Sequence, residues 1–315
     1  MTARRLARAL AAAGALACFA AATPAQARVR VRVRDYWVAA VPTTWNVVPN
    51  GHDAIMDMPV DPAQAIFPTV VYRRYTAEWR QPLPNARPSN ADGLLIPGPL
   101  IKERVGDRLR VHFKNMDTLR HDPHSMHFHG VHYKPSYDGA FIPGFSGRDG
   151  DVKFGQTYTY RLTAGRDSVG VWPYHDHSRS MDDSIAGGMF GMLSILGRHE
   201  RAPDREFEVV FSAFGKFQAI DGRAFVGNTP VFRSRVGDLV QWDVMAMGSD
   251  HHTFHVHGHR WIAPGGVPRD TQTVGPAESF RIRWHEEDPG TWLYHCHVED
   301  HMRRGMIGIY RVTRR

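Results

Sequence analysis

Four short motifs of the form His-x-His constrain this chain more than any other feature. They occupy residues 127–129, 175–177, 255–257 and 295–297. The frame around them is repeated, because a Val-Gly-Asp turn precedes the first motif of each half and a glycine follows that motif. Side chains alternate between the two faces of a β-strand, so each motif places two imidazoles on one face. Four such pairs in a repeated frame predict metal binding rather than packing.

The fourth motif carries a cysteine, Cys296, between its two histidines. On a strand, His295 and His297 face one way and Cys296 faces the other, so one strand can serve metal sites on both of its faces. His252 lies three residues before His255. This odd offset turns His252 toward the cysteine side of an extended chain.

Two further residues extend the cysteine group, since His301 and Met306 follow Cys296 along the chain. A cysteine and two histidines, with a weak and distant methionine, form the ligand set of a blue-copper electron-transfer site. The eight motif histidines, four from each half, then remain for a second metal cluster. Imidazole also binds zinc, iron and nickel, so the histidines alone do not name the metal.

The rest of the chain is typical of strands and turns. Residues 28–33 alternate Arg with Val, and residues 158–162 and 207–211 also have strand patterns, whereas long amphipathic helical patterns are absent. Many short strands separated by turn residues predict an all-β protein built from sandwiches. A length of 315 residues, at roughly 150 residues per domain, predicts two domains. We place them at residues 28–200 and 201–315.

The first 27 residues have the pattern of a secretory signal peptide. A basic start with Arg4, Arg5 and Arg8 precedes an apolar run over residues 9–22 and a small-x-small site at residues 25–27. The run is too short to span a bilayer comfortably, which disfavours a membrane anchor. We therefore predict an exported protein, periplasmic or extracellular, and leave the general and twin-arginine export routes open.

Removal of these residues affects the cysteine count and the charge. Cys18 is lost, so Cys296 is the one cysteine of the mature chain and cannot form an internal disulfide. The formal net charge falls from +7 to +4, because three arginines and no acid are removed. The basic residues are scattered rather than clustered with aromatic residues, so no nucleic-acid partner is predicted.

With these motifs in place, the chain resembles the multicopper oxidases over residues 36–312. Its length, and a cysteine motif in the second half, are similar to the small two-domain laccases. The resemblance implies two cupredoxin-like Greek-key β-sandwich domains. It also implies one-electron oxidation of phenolic or aromatic amine donors, coupled to four-electron reduction of O2 to water.

The same resemblance implies four coppers per chain: one type-1, one type-2 and a type-3 pair. The type-1 ligands would be His252, Cys296 and His301, with Met306 as axial ligand. The type-2 ligands would be His127 and His255. The type-3 ligands would be His129, His175, His177, His257, His295 and His297.

The first half departs from the type-1 pattern. His124 stands where His252 stands in the second half, but Asp176 replaces the cysteine and Met181 stands where the second histidine would be. An aspartate and a methionine cannot complete a blue-copper site. His124 is therefore interpreted as a relic or as a satisfied polar residue near the cluster.

Three residues are candidates for supporting roles by the same resemblance. Asp138 matches an acidic position that helps to deliver protons to the cluster, and Tyr133 resembles a tyrosine near the cluster of small laccases. Asp270 would contact a type-1 ligand or the substrate. Each of the three also fits a turn or packing role.

The resemblance further implies a homotrimer in which the cluster lies between domains of neighbouring subunits. The spacing of the motifs does not distinguish this from a cluster within one chain. The partners would be a small-molecule reducing substrate and O2.

Three alternative functions remain. A metallo-oxidase acting on Cu(I) or Fe(II) is suggested because residues 93–100 and 130–133 resemble ceruloplasmin-like domains, and Met181, Met189 and Met192 could attract Cu(I). A copper nitrite reductase would have its blue-copper cysteine in the first domain, contrary to Cys296. A copper carrier would bind the metal without consuming O2.

Overall fold

The computed structural model describes residues 32–85, 94–263 and 265–314. The predicted signal peptide and most of the strand predicted at residues 28–33 lie outside the described residues. Ten strands precede residue 200: β1 (Val33–Asn46), β2 (His52–Asp53), β3 (Met58–Pro59), β4 (Ile66–Tyr75), β5 (Ile101–Arg104), β6 (Arg108–Asn115), β7 (His127–Phe128), β8 (Thr157–Thr163), β9 (Gly170–His175) and β10 (Phe190–Leu196).

Eleven described strands follow residue 200: β11 (Arg205–Phe214), β12 (Phe217–Ile220), β13 (Val231–Arg235), β14 (Leu239–Ala246), β15 (His252–Val256), β16 (Trp261–Ala263), β17 (Val267–Arg269), β18 (Thr271–Val274), β19 (Ser279–His285), β20 (Gly290–Cys296) and β21 (Ile307–Thr313). The described α-helices are single short turns: α1 (Pro62–Ala65), α2 (Met181–Ala186) and α3 (Glu299–Arg303). Short 3₁₀ turns occupy Ala77–Trp79, Pro135–Tyr137 and Arg166–Ser168. None of the described helices is long and apolar enough to cross a membrane.

The two halves repeat the same sheet topology. In the first half, the strand orders are β4-β1-β6-β8 and β5-β10-β9-β7. In the second half, they are β12-β11-β14-β19 and β13-β21-β20-β15-β18. Each strand of the first pair of sheets has a counterpart at the same place in the second pair. The sequence repeat is therefore a structural repeat, and the predicted all-β class is confirmed.

Alternation of side chains explains why these segments form sandwiches. Along β6, exposed or half-buried positions alternate with the buried positions Leu109, Val111 and Phe113. One face of the strand therefore packs into a core and the other meets solvent. The core of the second half is centred on the fully buried Trp242, which packs against Phe207 at a ring-centroid distance of 4.8 Å.

A third core cluster joins the halves. It combines buried residues of the first half, such as Val171 and Phe190, with Val210 and Phe214 of the second half. A polar network lies beside it, in which the Arg281 guanidinium donates to Asp243 at 2.8 Å and to the carbonyl oxygen of Ile195 at 2.8 Å. Residues 31–315 accordingly form one compact unit. The division at residue 200 stays a prediction.

Candidate metal centres

The histidines of the first half converge at the end of its β7–β9 pair. His127 lies opposite His175 in the antiparallel register. Nε2 of His129 is 3.1 Å from Nε2 of His175, and the ring centroids of His127 and His177 are 5.3 Å apart. The candidate ligand atoms of His127, His129 and His175 all lie within 4.8 Å of one another.

The second half repeats this arrangement almost atom for atom. His255 lies opposite His295, Nε2 of His257 is 3.0 Å from Nε2 of His295, and the ring centroids of His255 and His297 are 5.5 Å apart. The candidate ligand atoms of His255, His257 and His295 also lie within 4.8 Å of one another. The pairing of β15 with β20 therefore brings two His-x-His motifs together, as the pairing of β7 with β9 does in the first half.

The glycine after each first motif explains how the chain leaves the strand there. Gly130 has φ +69° and Gly258 has φ +74°, a left-handed conformation that glycine adopts without strain. A Cβ on Gly130 would meet the ring of Trp172 at 2.0 Å, and one on Gly258 would meet the ring of Trp292 at 2.7 Å. The tryptophan packed on the turn thus requires glycine in both halves.

Carbonyl groups fix the tautomers of these histidines. Nδ1 of His127 lies 2.7 Å from the carbonyl oxygen of Asp138, and Nδ1 of His175 lies 2.9 Å from that of Asp176. A carbonyl oxygen can only accept, so each Nδ1 carries the proton and each Nε2 presents a lone pair to the group. His255 and His295 are held in the same way by the carbonyl oxygens of Asp270 and Cys296.

Burial favours the neutral form of three of the motif imidazoles, and metal binding requires that form. It lowers the pKa of His129 and of His175 to about 4, and it lowers the pKa of His295 to about 4. Neutral rings with converging Nε2 lone pairs fit a cation, which would replace their mutual repulsion by coordination. The donor sets of both halves therefore fit metal ions.

The opposite face of β20 carries a separate group. Sγ of Cys296 is 3.8 Å from Nδ1 of His252 and 3.7 Å from Nδ1 of His301, and the two nitrogens are 3.1 Å apart. Cys296 and His252 are buried, and His301 is supplied by α3. Met306 is fully buried in the same core cluster as Cys296. Cys296 thus contacts His252 and His301 on one face of β20, whereas His295 contacts His257 on the other.

The chemistry of this group fits a soft metal ion. Burial raises the pKa of the Cys296 thiol, and burial lowers the pKa of His252 to about 4. The backbone N–H of Thr253 donates to Sγ of Cys296 at 3.4 Å, which would stabilise a thiolate. A bound metal ion deprotonates a coordinating thiol outright, so the high thiol pKa is no obstacle to coordination.

At the corresponding place in the first half, an ion pair replaces the cysteine group. Nδ1 of His124 lies 2.9 Å from Oδ2 of Asp176, and Nε2 of His124 lies 3.3 Å from Oδ2 of Asp117. Asp176 also accepts from the backbone N–H of Ser125 at 2.8 Å. His124 is thus a fully satisfied, buried polar residue, one of the two interpretations that the sequence left open.

The structure locates the three candidate supporting residues beside the histidines. Oδ1 of Asp138 is 3.6 Å from Nδ1 of His127, and the ring of Tyr133 lies 6.3 Å from that of His127. Burial and the nearby Asp138 raise the pKa of Tyr133 to about 12. Asp270 lies at His255, through its carbonyl oxygen. Asp138 and Asp270 therefore hold equivalent positions in the two halves.

Sequence reasoning missed two buried acids that support this region. Asp117 pairs with His124, as described above. Glu286 accepts from Nε2 of His259 at 3.1 Å, while Nδ1 of His259 donates to the carbonyl oxygen of His257 at 2.7 Å. Glu286 is 27 residues from His259, and Asp117 is seven residues from His124 outside any motif, so spacing gave no signal for either acid. The nearest hint was that His259 continues the alternation of His255 and His257.

The structure does not bring the two histidine groups of the chain together. Within the described residues, each candidate metal group draws its members from one half alone. The histidine rings of one group likewise contact rings of their own half in the described part of the chain. Each group therefore contains four of the eight histidines that the sequence assigns to one cluster.

Matches to protein-family models identify the family of the chain. A multicopper oxidase model matches residues 91–200, and a second multicopper oxidase model matches residues 201–315.

The chain belongs to the multicopper oxidase family.

Relatives and solved structures agree with this family. The human ferroxidase HEPHL1 is 28% identical over 89% of this chain and 29% of its own length. A probable nitrite reductase-hydroxylamine oxidoreductase fusion protein of Kuenenia stuttgartiensis is 31% identical over 69% of this chain and 27% of its own length. A solved multicopper oxidase superposes with a TM-score of 0.69 at 24% identity, covering 90% of each chain. This multicopper oxidase chain thus spans about three tenths of the length of the curated relatives, and its fold is cupredoxin-like.

The ion pair that replaces the cysteine group gives a pH-dependent prediction. Burial opposes charge on His124, but its hydrogen bonds to Asp117 and Asp176 raise its pKa to about 9 from 6.5. A raised pKa stabilises the folded state below the unfolded value, and this contribution is lost as the pH rises through about 9. We expect His124→Gln to lower the free energy of unfolding by ~3–5 kcal/mol near pH 6, because it leaves buried carboxylates unpaired.

The difference between the wild type and His124→Gln should shrink as the pH rises from 6.5 to about 9. Urea denaturation of the copper-free proteins at several pH values measures it. His199→Gln, at an exposed position, is the matched control and should leave stability unchanged. A difference for His124→Gln that stays constant across this range would contradict the charged pair.

Proposed function

We propose that this protein is a laccase-like oxidase that takes single electrons from a small reducing substrate and reduces O2 to water. The observation that carries the proposal is the β20 segment around Cys296. Its cysteine contacts the His252–His301 pair on one face, and its two neighbouring histidines join the histidine group on the other. Adjacent residues of one chain segment thereby link a site suited to accepting single electrons with a site suited to binding O2.

Four coppers per chain would occupy these groups. His252, Cys296 and His301 would hold the type-1 copper, together with the buried Met306 of the same core cluster. His127 and His255 would hold the type-2 copper, and their equivalent carbonyl contacts to Asp138 and Asp270 support pairing them. The type-3 pair would be held by His129, His175, His177, His257, His295 and His297. Copper at these sites supplies one-electron chemistry and the reduction of O2.

The polypeptide contributes geometry to this chemistry. Carbonyl contacts orient four of the rings and fix their tautomers, so little reorganisation is needed when a ligand atom is used. The buried Cys296 group, packed in the aromatic core of the second half, limits access of water to the electron-accepting site. His301 is only half-buried, which makes its ring edge the natural point of contact for a donor.

Two copies of the chain would complete the cluster. Each histidine group is half of the required set, and each lies near exposed apolar side chains. In the loop bonded to the carbonyl oxygen of His177, Phe145 is 89% exposed and Ile142 is 54% exposed. In the hairpin leading to Asp270, Ile262 is 63% exposed and Val267 is 50% exposed. Such exposed apolar patches favour contact with another protein surface.

A head-to-tail assembly follows from this pairing of unlike surfaces. If the first half of one copy meets the second half of the next, the interface is heterologous, and such interfaces generate rings when the rotation closes. We therefore propose a homotrimer with the cluster between subunits, in keeping with the resemblance to small two-domain laccases.

Asp138 would serve as the proton relay. Its carboxylate lies 3.6 Å from Nδ1 of His127 and its side chain is 38% exposed, so it can exchange protons with solvent beside the cluster. Burial and the nearby Asp138 raise the pKa of Tyr133. Tyr133 would therefore stay protonated and hold this carboxylate in place. Asp270 would hold His255 in the second half through its carbonyl oxygen.

Oxidation of Cu(I) or Fe(II) is the second candidate function. Met189 and Met192 are fully buried and pack in the cores, so they do not support it. A shallow cleft beside His177 does, because it is lined by Met181, Asp182 and Asp183, and thioether and carboxylate donors suit these ions. The relative HEPHL1 is itself named a ferroxidase. Comparing turnover of Fe(II) and Cu(I) with that of a phenol separates the two donor classes.

Removal of the cysteine tests the electron-accepting site. We expect Cys296→Ser to abolish an intense visible absorption band and O2 consumption with any donor, because the thiolate ligand is lost. The copper content should fall from about four to about three per chain, since the histidine groups remain. Absorption spectra and metal analysis of the copper-loaded proteins measure both. Met181→Leu, at the equivalent position to His301, should keep the band; a colourless wild type would refute the proposal.

Mixed assemblies test where the cluster lies. His129→Ala breaks the first-half group and His257→Ala breaks the second-half group, so each variant alone should be inactive. In a randomly mixed head-to-tail assembly, about one quarter of interfaces would combine two intact halves. Co-expression should therefore restore O2 consumption to about a quarter of the wild-type rate. If the cluster lay within one chain, every mixed assembly would stay inactive.

Replacement of the carboxylate tests the relay. Asp138→Asn should lower kcat for O2 reduction by ~100-fold, a typical contribution of positioned proton transfer, and should leave the visible band unchanged. Asp270→Asn is the matched control at the equivalent position, and it should have a smaller effect because its carboxylate is not within 4.0 Å of His255 among the described ion pairs. Equal losses in both variants would assign Asp138 a role in holding the fold.

A further inference from the structure

A large basic cleft lies between the two halves, apart from the histidine groups. Its volume is about 1640 Å³, and it is lined by residues of β5 and β10 on one side and of β11, β13 and β21 on the other. Eight basic side chains and three carboxyl groups line it. None of the candidate copper ligands among the described residues does. The cleft therefore has a strong positive charge and no part in the proposed oxidation.

Three arginines dominate one wall of this cleft. Arg233 on β13 lies directly opposite Arg311 on the parallel strand β21. Arg235 follows on the same face of β13, and all three side chains are exposed. Hydrogen-bonded strands are about 4.8 Å apart, and like charges placed directly opposite destabilise a sheet. The guanidinium groups of Arg233 and Arg311 thus lie on one face of the sheet, and their repulsion lowers the stability of the fold.

The arginines of this wall lack a charge partner within the described part of the chain. No carboxylate there forms an ion pair within 4.0 Å of Arg233, Arg235 or Arg311. A second opposed arginine pair gives the comparison, because Arg110 lies opposite Arg161. In that pair, the carboxylate of Asp35 binds Arg110 at 2.7 Å. Asp35 thus neutralises the pair of Arg110 and Arg161, whereas the pair of Arg233 and Arg311 faces the cleft without a carboxylate partner among the described residues.

The three acids of the cleft pair with basic side chains other than these three arginines. Lys102 binds Glu206, and Asp204 pairs with Arg201 at 3.0 Å. Glu103 is 97% buried against Arg34, and burial raises its pKa to about 8. The excess positive charge of the cleft is therefore available to a ligand.

We propose that this cleft binds a small oxyanion, carrying carboxylate or phosphate groups, between Arg233 and Arg311. A guanidinium group offers two parallel N–H donors to such a group, and two of them side by side can grip one anion. Arg235 would contact a second acidic group of a longer ligand. The bound anion would neutralise Arg233 and Arg311 in the way that Asp35 neutralises Arg110.

Calorimetric titration of the full-length, copper-loaded protein tests the site. Inorganic phosphate is the probe in one arm and succinate in the other, with sodium chloride holding the ionic strength constant. We expect saturable binding of at least one anion, and the arm that binds identifies the acidic group. The double variant R233Q/R311Q should weaken this binding at least tenfold. The matched control R161Q, an exposed strand arginine outside the cleft, should bind as the wild type does.

Thermal unfolding without added anion gives a second, independent measure. Arg311→Gln should raise Tm, because it removes the repulsion from Arg233, and it should abolish the rise in Tm that the anion produces in the wild type. Arg161→Gln should not raise Tm, since Asp35 already neutralises its neighbour. The proposal is overturned if neither anion binds saturably, if R233Q/R311Q binds like the wild type, or if Arg311→Gln lowers Tm.

Discussion

The alternation of side chains along one strand is the constraint on which the sites of this protein depend. Because consecutive residues of β20 point to opposite faces, Cys296 can reach His252 and His301 while its neighbours reach the histidine group behind the strand. The two sites can be neither merged nor moved apart without changing the covalent chain. Everything else in the second half, from the register of β15 to the short helix α3, serves to bring partners to the two faces of this segment.

Duplication of this arrangement shows which parts the fold itself requires. The register that sets His255 opposite His295 also sets His127 opposite His175, and a tryptophan packs on the glycine turn in both halves. The opposite face of the strand is less constrained. In the first half, it holds the buried pair of His124 with Asp176 and Asp117, so a hydrogen-bonded ion pair occupies the volume that a thiol and two imidazoles occupy in the second half. Both halves therefore carry a histidine group on one face of this strand, whereas only the second half carries a cysteine group on the other face among the described residues.

Sequence reasoning predicted what strand periodicity determines and missed what tertiary packing determines. The all-β class, the strands around residues 158–162 and 207–211, and the grouping of His252 with Cys296 follow from alternation within single segments. Glu286 was missed because the sandwich brings it to His259 from 27 residues away, and Asp117 was missed because the loop that turns it toward His124 has no recognisable motif. The contact of Asp270 with His255 was missed for the same reason, since a backbone carbonyl leaves no mark in the sequence. The network around Arg281 likewise joins three segments of both halves.

The separation of the two histidine groups is a consequence of how the halves are joined. A shared apolar core and the buried contacts of Arg281 fix one half against the other, so the groups cannot meet by a hinge motion without exposing that core. The apolar side chains exposed near each histidine group are unfavourable on a free surface. This exposure would be removed if the first-half surface of one copy covered the second-half surface of another. The shared core of the two halves therefore supports the proposal that the functional unit contains more than one copy.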